Sequence, residues 1–214
     1  MLTTEQIQSN KERYINIMKT INKDINVEEI VTYLEINGFF TAPASTQYHC
    51  AFEGGLCAHT LEVYDALVSL CIMTDNDENS DTIKIIALFH DIAKMSLYEE
   101  SVINEKVYCD TGTNMDAKGR FNWCSRMGYK TRSVDTREVY GDKYFTAYLL
   151  ISRFIPLSEE EMVILVNQYS AFDNAGFANK ELSTLMGRYP KIALLHSADI
   201  ISSYVTENKY GQDN

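Results

Sequence analysis

Two adjacent residues in the stretch IIALFHDIAK, His90 and Asp91, place an imidazole and a carboxylate among side chains otherwise suited to a hydrophobic core. Two further segments repeat the anomaly: GGLCAHTLEV carries His59 and LLHSADIISS carries Asp199. Neutral imidazoles and ionised carboxylates on rigid elements are what a divalent cation requires. The separations, 31 residues from 59 to 90 and 108 from 91 to 199, are too long for a zinc finger or a calcium loop, whose ligands are local. A site therefore exists only where three distant helices converge. Nitrogen and oxygen donors without thiolates suit Mn, Co, Ni, Fe, Zn or Mg and do not choose among them. The competing reading is structural: a lone histidine on an apolar helix is usually a hydrogen-bonded core residue, and a lone aspartate can be a cap. Against it, an unpaired carboxylate in a long apolar stretch costs several kcal/mol and would normally protonate or find a partner. A cation removes that cost.

The elements that must position these groups read as mainly helical. Prolines occur only at 43, 156 and 190, where they punctuate the apolar periodicity. Helices are expected near 3–20, 26–37, 54–74, 82–95, 143–155, 158–170 and 189–207. Ser158 and Glu161 form a capping box after Pro156, and Met162, Val163, Leu165 and Val166 are expected to make one buried stripe. The pattern breaks over 97–140, where Gly112, Gly119 and Gly128 separate short β-prone pieces, predicting a small β-hairpin or loop insertion. No repeat or low-complexity linker divides the chain. It is read as one domain over 1–214, with N-terminal helices to about 38 and a core over about 40–207.

Composition narrows the function. No signal-peptide pattern is present, and no run of about 18 or more apolar residues is expected to span a bilayer. The expected protein is cytoplasmic, with no membrane partner. Five cysteines without a C-x-x-C read as reduced thiols, mostly in the core. A net charge of −11 argues against broad nucleic-acid binding, which needs clustered Lys and Arg. One region departs from this: residues 117–143 carry seven bases against three acids, either a solvated loop or a flap over an anionic substrate.

The order H…HD…D resembles the HD-domain metal-dependent phosphohydrolases, and YHCAFEGGLCAHTLEVY is similar to the single-domain members found in bacteria and their phages. The likeness runs over roughly residues 40–207 and includes a Tyr48-His49 pair ahead of Gly-Gly-Leu. It implies an all-α HD-domain bundle in which His59, His90, Asp91 and Asp199 bind a metal. Many relatives carry a Gly-His-Gly-Glu-Lys-Ser segment after the insertion and a second histidine one helix later, which can complete a second metal site. Here Asp142 and Gln168 stand at those positions, so one divalent ion is expected.

On that basis the expected activity is hydrolysis of a small nucleotide or phosphate ester, with a nucleoside 5′-monophosphate as the leading substrate. Asp91 would orient or deprotonate water; Lys94, three residues on, could stabilise phosphate charge or be an ordinary solvated lysine. His49 and Asp142 are proton-transfer candidates. Trp123, Tyr129, Gln168 and His196 are candidate substrate contacts, although aromatics more often simply pack. Three alternatives stay open: a phosphodiesterase for cyclic nucleotides or short oligonucleotides, a nucleotide-sequestering protein that has lost turnover, and a metal-free helical interaction protein. Oligomeric state is not legible in the sequence.

Overall fold

The computed structural model describes residues 1–46, 48–132, 143–168 and 180–206. Helix α1 (Thr4–Met18) begins with a capping box in which Thr3 and Gln6 satisfy each other's backbone groups, and α2 (Val27–Ile36) begins under Asn26. Helices α3 (Gly55–Met73) and α4 (Asp81–Phe89) form the centre. A 3₁₀ turn (Ile92–Ser96) leads into strand β1 (Tyr98–Tyr108), followed by β2 (Asn114–Asp116) and β3 (Gly119–Thr131). After these come α5 (Lys143–Ile151), α6 (Glu159–Val166), α7 (Lys180–Arg188), α8 (Lys191–Ile201) and a π turn (Ser202–Thr206).

Two apolar clusters hold the helices. In one, Tyr14 of α1 packs against Phe39, Phe40 and Phe89, with ring centroids 5.1–6.2 Å apart. In the other, Val63 and Leu67 of α3 meet Ile83 and Ile86 of α4, Ile164 of α6, and Ile192, Leu195 and Ala198 of α8. The first turns of α3 are buried all round, from Gly55 to Leu61, so this segment is a core helix and lacks a polar face there. Gly55 permits it: a Cβ at that position would lie 2.0 Å from the Cys50 carbonyl oxygen.

Several expectations change. The mainly helical bundle is present, and the insertion expected as a small β-hairpin or loop is a three-stranded antiparallel sheet in the order β1-β3-β2, with β1 and β3 paired from Tyr98–Thr131 to Tyr108–Phe121, so that all-α describes only the helical part. Helix α4 stops at Phe89 where a continuous helix over 82–95 was expected. Helix α7 was not expected, although Leu182, Leu185 and Met186 have helical spacing and pack on the second core. The capping box at Ser158 and Glu161 is present. Its helix, however, buries Glu161, Ile164 and Leu165 on one face, continued past its end by the buried Gln168, and leaves Met162 36% exposed. Glu161 is tolerated inside because Lys23 at 2.6 Å neutralises it and Thr82 donates to it. Gly55–Met73 is in fact long and apolar enough to cross a membrane by length and composition, yet half of it is buried within the fold. Cys50, Cys57 and Cys71 are buried, while Cys109 and Cys124 are exposed on the sheet.

Candidate metal centre

His90 caps the C-terminus of α4, and Asp91 breaks the helix with φ −108° and ψ 15° before the 3₁₀ turn. In a continuous helix adjacent side chains diverge by about 100°. The break lets both point to one place: His90 Nε2 lies 3.4 Å from Asp91 Oδ2. His59, from the second turn of α3, brings Nε2 to 3.4 Å from Asp91 Oδ2 and 3.4 Å from His90 Nε2. Asp199 of α8 places Oδ1 3.3 Å from His59 Nε2. The three helices thus converge through the core formed by Val63, Ile86 and Ala198.

The donor atoms fit a cation better than they fit one another. His90 Nδ1 lies 2.8 Å from the Ala87 carbonyl, to which it donates, so the lone pair of the neutral ring is on Nε2 and faces inward. His59 Nε2 has three neighbours at 3.3–3.4 Å, too many and too distant for one N–H to satisfy. Nitrogen and oxygen ligands about 2.1 Å from a common cation stand roughly 3.0–3.4 Å apart, depending on geometry. Donor atoms of His59, His90 and Asp91 all lie within 4.8 Å of one another. Asp199 joins through His59 on the more open side, with its side chain 38% exposed against 0% for His59 and 7% for Asp91.

Electrostatics keep the carboxylates ionised. Burial alone would push Asp91 up, but the Lys94 ammonium above all, together with the polar His59 imidazole, holds it well below the usual carboxylate range. Partial burial of Asp199 is likewise overcome, by the hydrogen bond and charge of His59. Lys94 Nζ sits 2.5 Å from Asp91 Oδ2 with its side chain 13% exposed. Burial would lower its pKa, but Asp91 and Asp199 hold it above the ordinary value. It is not the solvated lysine of the alternative reading.

Side chains from distant elements hold the end of α4. Tyr14 Oη donates to the Leu88 carbonyl at 2.8 Å, and Gln168 Nε2 donates to the His90 carbonyl at 2.8 Å and to Leu165 at 3.2 Å. Carbonyls that a helix end leaves unpaired are thereby satisfied beside the ligands. Ser203, one turn after Asp199, donates to its Oδ1 at 3.4 Å. Tyr14 and Ser203 were not expected as site residues. A sequence offers no direct signal for Tyr14, 74 residues from its acceptor.

The other candidates divide by place. The ring of His49 lies 4.9 Å from that of His59 and so joins the centre, whereas Tyr48 is 72% exposed. His196 makes no hydrogen bond or ring contact among the described residues, and its buried Nδ1 is unsatisfied. Tyr129 lies near Glu53, which precedes α3; burial, Glu100 and Glu53 raise its phenol pKa. Trp123 stands six residues earlier on β3, about 20 Å along the strand, packed edge-on against Phe121 and 57% exposed. Asp142 lies outside the described residues. The bases of β3 are engaged with neighbouring strands: Arg126 with Glu105 at 2.5 Å and Lys130 with Glu99 at 3.4 Å.

Comparison with known families agrees with this centre. The family model of the HD domain matches residues 56–120, a span that includes His59, His90 and Asp91 and ends well before Asp199. No curated protein and no solved structure matches the chain.

Proposed function

We propose that this chain, which carries an HD-domain match consistent with the HD-domain phosphohydrolase superfamily, is a metal-dependent phosphomonoesterase for small nucleotides, with a nucleoside 5′-monophosphate as substrate. The observation that carries the reading is the meeting of His59 Nε2, His90 Nε2 and Asp91 Oδ2 at 3.4 Å, with Lys94 on the same carboxylate oxygen. His59, His90, Asp91 and Asp199 would hold one divalent ion. When bound, that ion supplies a Lewis acid for the phosphoryl group and makes water more acidic.

The chain's own residues do the rest. Ala87 fixes the His90 tautomer, and Gln168 fixes the carbonyl next to Asp91. Asp91, kept ionised, accepts a proton from the attacking water. Lys94 offsets the paired carboxylates, so that an anionic phosphate can approach from the open side beside Asp199. His49, against His59, delivers a proton to the leaving oxygen. A small substrate is favoured over a polymer because Arg126 and Lys130 are matched by acids, and the net charge is −11.

The test is a panel of nucleotides offered to the full chain with Mn or Co, with products identified. Phosphate release from nucleoside monophosphates, lost in His90→Ala and Asp91→Ala, is expected. Absence of phosphate release from every nucleotide and from a generic aryl phosphate would overturn the reading.

A further inference from the structure

Strand β1 is eleven residues long and lies at the edge of its sheet. Its bonds to β3 establish which residues face outward. The Cys109 N–H donates to Arg120 and the Arg132 N–H donates to Leu97, so the odd-numbered residues along this strand bond toward β3. The backbone groups of Glu100, Val102, Asn104, Lys106 and Tyr108 point the other way and have no backbone partner among the described residues. A free edge of this length is a template for another strand. The same side chains form an exposed face with β3: Val102 is opposite Met127 and Lys106 is opposite Trp123, with Val102, Met127 and Trp123 respectively 64%, 61% and 57% exposed.

We propose that this edge pairs antiparallel with β1 of a second copy of the chain, about a two-fold axis at Ile103. Charge selects the partner and the register. Centred on Ile103, pairing sets Glu100 opposite Lys106 of the second copy, and the axis repeats that pair, while Val102 faces Asn104. Centred one residue later, on Asn104, Glu100 would face Tyr108 and Val102 would face Lys106, and no opposite charges would meet directly. Glu100 forms no ion pair within the described chain, whereas Lys106 contacts Asp116 at 2.5 Å and retains further donors. The contact is isologous and closes on itself. It produces a six-stranded sheet whose outer edges are the three-residue strands β2, too short to recruit further copies.

Sedimentation of the full chain tests this, with circular dichroism as the control for folding. The wild type is expected to show a monomer–dimer equilibrium. Glu100→Lys and Lys106→Glu should each weaken dimerisation about tenfold or more, and the double exchange should restore it relative to Lys106→Glu alone. Asn104→Pro removes an outward N–H and no backbone bond to β3, losing only the exposed side-chain bond from Ser125, and should leave a folded monomer. A wild type that stays monomeric to about 1 mM, a double exchange that restores nothing, or a folded Asn104→Pro variant that still dimerises would each overturn the proposal.

Discussion

Charge is handled in opposite ways at the metal centre and on the sheet. At the centre, Asp91, His59 and His90 are nearly inaccessible, and Lys94 is drawn in beside them. On the sheet, Arg126 and Glu105 pair across neighbouring strands while 51% and 43% exposed. A buried charge depends on every neighbour it has, whereas water can replace the partner of an exposed one. The first arrangement can hold an ion and shift a proton; the second sets strand register and the identity of a neighbouring strand.

The largest effect expected is at Asp91. Replacing it with Ala leaves Lys94 buried without its counter-charge, at a cost of about 3–5 kcal/mol in chemical denaturation, and abolishes metal binding and turnover. The acid limb of stability follows from the same group. Its folded pKa is depressed, so its contribution is complete above the unfolded value of about 4 and is lost as pH falls toward the folded value. A midpoint that rose on acidification through this range in the metal-free protein would contradict that sign.

Smaller, and more specific, is Gln168→Ala. The His90 carbonyl loses its donor, which costs about 1–3 kcal/mol, and metal affinity should fall about 10–100-fold as the ligand pair loosens. Calorimetric titration with Mn distinguishes this from general destabilisation if the variant is measured well below its unfolding temperature. Tyr14→Phe removes the donor to Leu88 while keeping the ring packing, and should have the same direction with a smaller effect on affinity.

The sheet supplies the contrast. Arg126→Ala should change stability by less than about 1 kcal/mol and leave metal affinity unaltered; an effect equal to that of Gln168→Ala would erase the distinction between the two regions. Smallest in perturbation is thiol labelling of the native protein. Cys109 and Cys124 should react readily, while Cys50, Cys57 and Cys71 wait for unfolding, Cys57 also because burial pushes its thiol up to about 12.

The meeting of His59, His90, Asp91 and Asp199 was legible because carboxylates and imidazoles stand out in apolar segments, and the capping box at Ser158 was legible because both partners lie within one turn. The break at Asp91 was not, since no Gly or Pro marks it and it is held by Gln168, 78 residues from His90. Gln168 itself sat outside the expected stripe because the apolar residues Met162 and Val163 drew attention from the polar residues that share the buried face. The insertion was legible as a small β-hairpin or loop but not as three strands: its strands alternate weakly, since much of both faces is exposed.

His59, His90, Asp91 and Asp199 are proposed to form one cation site. Titration of the chelator-treated full chain with Mn, followed by calorimetry, tests it most directly. One ion per chain and a raised unfolding temperature at saturation are expected, with about 2.7 kcal/mol of stabilisation at 100 times the dissociation constant. Both should vanish in His90→Ala. No binding of Mn, Co, Ni, Fe, Zn or Mg by the wild type, or binding unchanged in His90→Ala, would contradict it.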